Sequence, residues 1–292
     1  MHFPDKKTIL VTGGNGQLGK ELRSLTKDQE QFEFIFSSRD TLDITDQAEV
    51  YNAIKKFSPD YVINCAAYTN VDKAESESEQ AFLINSTAVN HLVGALKIYG
   101  GKLIHFSTDY VYDTITDRPI KESDACDPKS VYGKSKRAGE LVLEACDIDW
   151  INIRVSWLYS SFNYNFVKTM LRLGGERDKL SIVNDQIGTP TYTKDLVEVV
   201  YKMIELDDSS LMRSHYNFSN AGVTNWAKFA KEIFKQTKID CQVGYTTTAA
   251  YGAPAPRPLW SVMSKDKIAN NFDIKLKDWQ ESLSACLSLV HT

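Results

Sequence analysis

Residues 7 to 25 read KTILVTGGNGQLGKELRSL, and the periodicity changes partway along. The first six, KTILVT, have the length and apolar character of a buried strand, whereas a helical pattern runs from about residue 17 to 27. Between the two, Gly13, Gly16 and Gly19 fall in a G-x-x-G-x-x-G spacing. Glycines at a strand-to-helix turn let the backbone approach a pyrophosphate, and the free N–H groups of the following helix meet its negative charge. Gly13, Gly16, Gln17, Leu18 and Gly19 are therefore the candidate dinucleotide contacts. A tight turn without a ligand is the alternative reading of the glycines alone.

The same alternation continues to residue 155. Short apolar runs KTILVT (7–12), FEFIFS (32–37), DYVINC (60–65), KLIHFS (102–107) and DWINIR (149–154) read as strands, with helical patterns near 17–27, 46–57, 79–99 and 131–146 between them. Strand and helix in turn predict βαβ units feeding a parallel sheet, a doubly wound α/β fold of Rossmann type. Asp46 and Glu49 space as a capping pair, and Pro59 closes that helix. After Arg154 the rhythm loosens: SSFNYNF, a Gly174-Gly175 break, a turn at Gly188 to Pro190 and GAPAPRP (252–258) interrupt it. Two further helices are expected, at 224–237 and 277–290. The expected division is a dinucleotide-binding domain at 1–155, with part of 165–206 returning to it, and a smaller substrate domain at 156–292. The acidic tract DKAESESE (72–79) reads as a solvated helix start.

The chain has 292 residues, 42% hydrophobic and 25% charged, with a net charge of -4, which is the composition of a folded globular protein. Nothing in it concentrates positive charge as phosphate-backbone binding requires, so nucleic acid is not an expected partner. It has no apolar run of membrane-spanning length and Met1 to Lys7 has no signal-peptide layout, which predicts a soluble, cytoplasmic protein with no membrane partner. The five cysteines are widely spaced and form no C-x-x-C pair, consistent with reduced thiols.

At the end of the second strand, about 20 residues after the glycines, a dinucleotide-binding unit usually carries an acidic residue for the ribose 2'-hydroxyl. Ser37, Ser38 and Arg39 stand there instead. A hydroxyl and a guanidinium suit a 2'-phosphate, so Ser38 and Arg39 predict NADPH as cofactor, with NADH the alternative. Farther on, Tyr132 and Lys136 lie four apart and therefore on one helix face, and the preceding strand ends in Ser107-Thr108-Asp109. The set suits carbonyl reduction: a hydroxyl holds the oxygen, a tyrosine gives the proton and a lysine cation lowers the tyrosine pKa. A unit charge at ~4 Å and an effective dielectric of ~20 is worth ~4 kcal/mol, enough to bring a phenol near neutrality.

With these residues in place the chain resembles the extended short-chain dehydrogenase/reductases, and within them the dTDP-4-dehydrorhamnose reductases, over nearly its whole length. Gly13 to Gly19 match G-x-x-G-Q-[LV]-G, Asn64 to Glu75 match N-x-A-A-x-T-x-V-D-x-A-E, and Ser107 to Tyr112 match S-T-D-Y-V-[FY]. Val131 to Lys136, Arg154 to Tyr159, Asn165 to Leu173 and Asn184 to Thr191 continue the series in order. The resemblance implies NADPH-dependent reduction of the 4-keto group of a dTDP-sugar, with Thr108, Tyr132 and Lys136 catalytic. It places Asp43 and Ile44 at the adenine, Ala66, Ala67 and Tyr68 along the cofactor, and Thr69, Val71, Asp109 and Trp157 at the sugar nucleotide. Arg257 becomes a diphosphate clamp, and the neighbouring Trp260 is bulky for its position.

Some members of that group dimerise through a magnesium ion. Glu21 falls on one ligand position but Lys194 on another, and His291-Thr292 supply no side-chain carboxylate, so the expectation is a monomer or homodimer with no metal bridge and no metal site. The alternatives are weaker. No G-x-S-x-G occurs, which argues against a serine hydrolase, and His2, His91, His105, His215 and His291 lack metal-ligand spacing, with His105 read as packing. Another nucleotide-sugar 4-ketoreductase or an epimerase shares the same motifs. A noncatalytic nucleotide-binding subunit commonly lacks the tyrosine or lysine present here.

Overall fold

The computed structural model describes residues 6–26, 29–112 and 118–290; Met1, His2, residue 27 of the first helical pattern, His291 and Thr292 lie outside them. Strand β1 (Lys7–Thr12) carries Ile9, Leu10 and Val11, all fully buried, as a strand covered on both faces requires. Helix α1 (Gln17–Ser24) follows the glycine turn, and β2 (Phe32–Phe36) pairs with β1 in parallel. In α2 (Gln47–Phe57) the Asp46 carboxylate accepts the N–H groups of Ala48 and Glu49. Glu49 reaches back past it to the N–H of Asp43, and Ser58, left-handed at φ 42°, ends the helix before Pro59.

Strand β3 (Tyr61–Asn64) pairs with the other side of β1. Beyond it α3 (Val71–Ala74) precedes α4 (Ser78–Phe82), which runs through a π-helical turn, Leu83–Thr87, into α5 (Ala88–Tyr99), so the helix expected at 79–99 is present and carries a π-bulge. Strand β4 (Lys102–Thr108), α6 (Val131–Glu144) and β5 (Trp150–Val155) fall within two residues of the sequence reading.

Beyond β5 the chain forms β6 (Leu158–Tyr159), α7 (Phe166–Glu176), β7 (Lys179–Val183), β8 (Ile187–Gly188) and β9 (Thr191–Tyr192). Next come α8 (Thr193–Leu206), β10 (Ser214–Phe218), β11 (Thr224–Asn225) and α9 (Trp226–Thr237). The last elements are β12 (Gln242–Thr246), α10 (Thr248–Tyr251), α11 (Asp266–Asn271) and α12 (Trp279–Leu287). The Gly174-Gly175 break is corrected: α7 runs through both glycines. At Gly174 a Cβ would stand 2.5 Å from the Phe234 ring, so this glycine lets α7 lie close against α9.

The central sheet is six-stranded and parallel in the order β10-β5-β4-β3-β1-β2, a doubly wound α/β arrangement as the alternation predicted. Helices α1, α8 and α11 bury their apolar residues on one face, and α2, α5 and α6 cover the other. A third core joins α7, α9 and α12 around Phe229, Ile233 and Trp279. The order of connection reverses between β1 and β3, which opens a crevice at their carboxyl ends. Among the described residues no helix is long and apolar enough to cross a membrane, and all five cysteines are free thiols.

Candidate active site

The glycine turn sits at that crevice. Gly13 has φ +64°, and a Cβ on it would stand 2.6 Å from the Ala66 nitrogen, so β1 and the segment after β3 meet there backbone to backbone. A Cβ on Gly19 would lie 2.5 Å from the Gly13 carbonyl oxygen, which ties the start of α1 to the turn. Alongside runs a cavity of about 350 Å³ lined by Gly13, Gly16, Ser38, Arg39, Asp43, Ile44, Ala66 and Ala67, with Leu42, Cys65 and Ile84 completing its apolar wall. Arg39 is exposed at the rim, its Nε 3.4 Å from Asp43 Oδ2. The Thr45 hydroxyl holds the Asp43 carboxyl below its usual range. Bare backbone, an apolar wall and a cationic rim fit the adenosine half of a dinucleotide.

The side chains of Gln17, Leu18 and Tyr68, also expected at the cofactor, are engaged with the protein itself. Leu18 is part of the core. Gln17 Oε1 accepts from Ser160 and Asn165, fastening the segment after β6 to the turn. Tyr68 donates its phenol to Glu77, and Asn85 grips its backbone by N–H and carbonyl. Asn85 belongs to the π-helical turn and also donates to Ser135 of α6. Sequence reasoning missed it; a buried asparagine amid a helical apolar pattern was the available signal.

Thr108 ends β4, buried, with its hydroxyl donating to Asp109 Oδ1 at 3.0 Å and accepting the Tyr110 N–H at 3.3 Å. Tyr132 lies in the first turn of α6. That turn is fixed twice: Ser130 accepts the Gly133 N–H, and Glu75 accepts the Val131 N–H at 2.8 Å. The acidic tract is thus not merely solvated, because Glu75 caps α6 and Asp72 pairs with Arg257.

Burial pushes the Tyr132 phenol above its ordinary pKa, opposed by its hydrogen bond with Thr108. The expected lowering by Lys136 is therefore corrected. Removing a phenolate from water costs more than its neighbours return. Lys136, 2% exposed, is itself driven down to about 8 by burial, with Glu140 opposing. Behind it Glu140 takes both Nε and Nη2 of Arg154 at 2.8 Å.

On the other side of Tyr132, Tyr110 packs edge-on at 5.5 Å. The Tyr110 hydroxyl accepts from Arg257, whose second nitrogen binds Asp72 at 2.8 Å. Thr69 and Val71 lead into α3, and Asp109 is buried next to Thr108. Trp157 adopts φ +48°, costing on the order of 1–3 kcal/mol for a bulky residue. Its indole stacks on Trp226. Trp260 donates to the Arg118 carbonyl and packs beside Met263.

Glu21 is buried and accepts the Thr193 hydroxyl at 2.7 Å inside the α1–α8 contact. His105 is buried, its Nδ1 against Asn64, and burial lowers its pKa far below the ordinary value. Among the described residues Glu140, Glu144 and His215 come within metal-ligand spacing. Arg137 and Arg154 already hold both carboxylates. A larger opening of about 670 Å³ lies at the amino ends of the strands. Its charges are engaged with one another, Lys7 and Lys102 on Asp207 and Lys97 on Asp147.

Residues 7–291 match the family model described as RmlD substrate binding domain. The spore coat polysaccharide biosynthesis protein SpsK of Bacillus subtilis is 39% identical over 94% of this chain and 95% of its own. The dTDP-4-dehydrorhamnose reductase of Aggregatibacter actinomycetemcomitans is 38% identical over 94% and 96%. Among solved structures, dTDP-4-dehydrorhamnose reductase from Bacillus anthracis in complex with NADP superposes with a TM-score of 0.93 at 36% identity, covering 97% of this chain and 99% of that one.

Proposed function

The chain belongs to the dTDP-4-dehydrorhamnose reductase family, and from that premise we propose that it reduces the 4-keto group of dTDP-4-dehydro-L-rhamnose to give dTDP-L-rhamnose, using NADPH. The observation that supports the reading is a glycine turn at the crevice between β1 and β3, with Thr108, at the end of the neighbouring β4, hydrogen-bonded to Tyr132 of α6. Bound NADPH supplies the hydride that C4 receives. Gly13, Gly16 and the amino end of α1 offer bare backbone to the pyrophosphate. Ile44, Ala66 and Ala67 wall the adenine, and Ser38 and Arg39 face the 2'-phosphate.

Tyr132 gives its phenolic proton to the C4 oxygen. Its raised pKa keeps it in the acid form at neutral pH, and a developing alkoxide is the stronger base, so transfer runs downhill. Thr108 holds the carbonyl oxygen with a hydroxyl hydrogen bond, which strengthens as negative charge builds there. Lys136, four residues farther along the same face of α6, is the cation assigned to this site. Thr69, Val71, Asp109 and Trp157 face the sugar nucleotide, Arg257 its diphosphate, and the segments after residue 155 that do not join the central sheet form most of that side.

The test is NADPH consumption with dTDP-4-dehydro-L-rhamnose, with dTDP-L-rhamnose identified as product. Faster turnover of a UDP-linked 4-keto sugar would move the chain to another nucleotide-sugar reductase. NADPH binding with no turnover would make it a nucleotide-binding subunit.

A further inference from the structure

Trp157 does not hold its position alone. Its indole lies 3.8 Å from that of Trp226, centroid to centroid, with the planes 16° apart. Trp226 is the first residue of α9 and is fixed in turn: its Nε1 donates to Gln186 Oε1 at 2.9 Å, and Phe166 packs on it at 4.6 Å. The antiparallel pairing of β8 with β11 sets Gly188 opposite Thr224, two residues before Trp226. A Cβ on Gly188 would stand 2.7 Å from the Trp157 ring. The indole of Trp157 is thus confined by a bare glycine and a second indole, on a backbone that a tryptophan rarely adopts.

Resting on the reading of Trp157 as a sugar-nucleotide contact, we propose that Trp226, aimed by Gln186, is a positioning residue for the sugar nucleotide: by stacking, it fixes the Trp157 ring at the angle the sugar meets. Trp226 is held by the polar side chain of Gln186 and packed within the α7–α9 layer, so the angle of the platform is set from outside the segment that carries it. Freed from this stack, Trp157 samples other rotamers, and the sugar nucleotide must select the competent one at a cost in affinity. The cofactor cavity does not include Trp226, so NADPH binding is insulated from the change.

The experiment compares Trp226→Leu, Trp226→Phe, Gln186→Leu and Trp157→Leu in the full chain. It measures KM for dTDP-4-dehydro-L-rhamnose, KM for NADPH and kcat. An aromatic pair of this kind corresponds to a change of about 3- to 10-fold. Trp226→Leu should raise the sugar-nucleotide KM by that factor with the NADPH KM unchanged, Gln186→Leu should raise it less, and Trp226→Phe should restore most of the loss. If Trp157→Leu raises that KM while Trp226→Leu and Gln186→Leu leave it at the wild-type value, the positioning role is overturned and the reductase reading stands. If Trp157→Leu leaves it unchanged in an active enzyme, Trp157 is no sugar contact and the inference falls with it. Should Trp226→Leu fail to fold, Gln186→Leu decides: a sugar-nucleotide KM at the wild-type value in that variant overturns the proposal.

Discussion

Replacing Arg154 with methionine tests the buried charge pair behind Lys136. Arg154 and Glu140 have side chains 2% and 0% exposed and meet through two hydrogen bonds of 2.8 Å. Arg154 also donates to the Tyr112 hydroxyl and the Glu122 carbonyl. Removing Arg154 leaves the buried Glu140 carboxylate with Arg137 and Asn152 as its remaining partners, and breaking such a buried pair costs up to about 3–5 kcal/mol. For a chain of this length that is a fall in Tm of roughly 5–8 °C.

The loss must also depend on pH. In the wild type the Glu140 carboxyl is held at about 2, so its stabilising contribution is present above the unfolded value near 4.5 and is lost as pH falls toward 2. Without Arg154, burial raises the folded pKa of Glu140 above the unfolded one. The protonated form then relieves the strain at low pH, and the relief disappears as pH rises through the new value. Arg154→Met should therefore be less destabilised at pH 5 than at pH 8, and Glu140→Leu combined with Arg154→Met should recover more than half of the loss. Urea and thermal unfolding at both pH values provide the assay. A Tm within about 2 °C of wild type, set against the fall expected above, or a loss equal at the two pH values, would refute the reasoning.

Gly13→Ala forces a side chain into a φ of +64° and 2.6 Å from the Ala66 nitrogen; NADPH affinity measured by titration should drop by at least ~10-fold, and an unchanged Kd would separate the turn from the cofactor. Arg39→Ala should remove a preference for NADPH over NADH of about 10- to 100-fold in kcat/KM, the worth of a charge-assisted hydrogen bond; equal use of both cofactors by the wild type would show that Arg39 does not read the phosphate. Because burial sets Lys136 at about 8, its cation is lost as pH rises through that value. The profile of kcat/KM should fall above it, whereas a profile flat to about pH 10, the ordinary lysine range, would show that the charge is not used.

What the sequence displayed of all this follows from how each element is stabilised. Strands β1 to β5 are legible because central parallel strands are apolar on both faces. Strand β10 is not, since SHYNF alternates polar with aromatic residues and its polar members are satisfied by distant partners: Asn217 joins the Tyr112 hydroxyl and the Ile120 carbonyl. Helix α7 is hidden by Gly174, which looks like a break until the Phe234 ring beside it is known. The residues proposed as catalytic are visible as types at a spacing, but their protonation is not, because burial of Tyr132 and Lys136 is a property of packing. The Trp157–Trp226 stack joins residues 69 positions apart in sequence, a distance that no local pattern reports.

Transfer of label from deuterated NADPH to dTDP-4-dehydro-L-rhamnose, followed in the wild type and in Tyr132→Phe, tests the central claim most directly. The account predicts deuterium at C4 of dTDP-L-rhamnose, and a kcat lower by at least ~10²-fold in Tyr132→Phe with NADPH binding little changed. Product without deuterium at C4, or near-wild-type turnover by Tyr132→Phe, would contradict it.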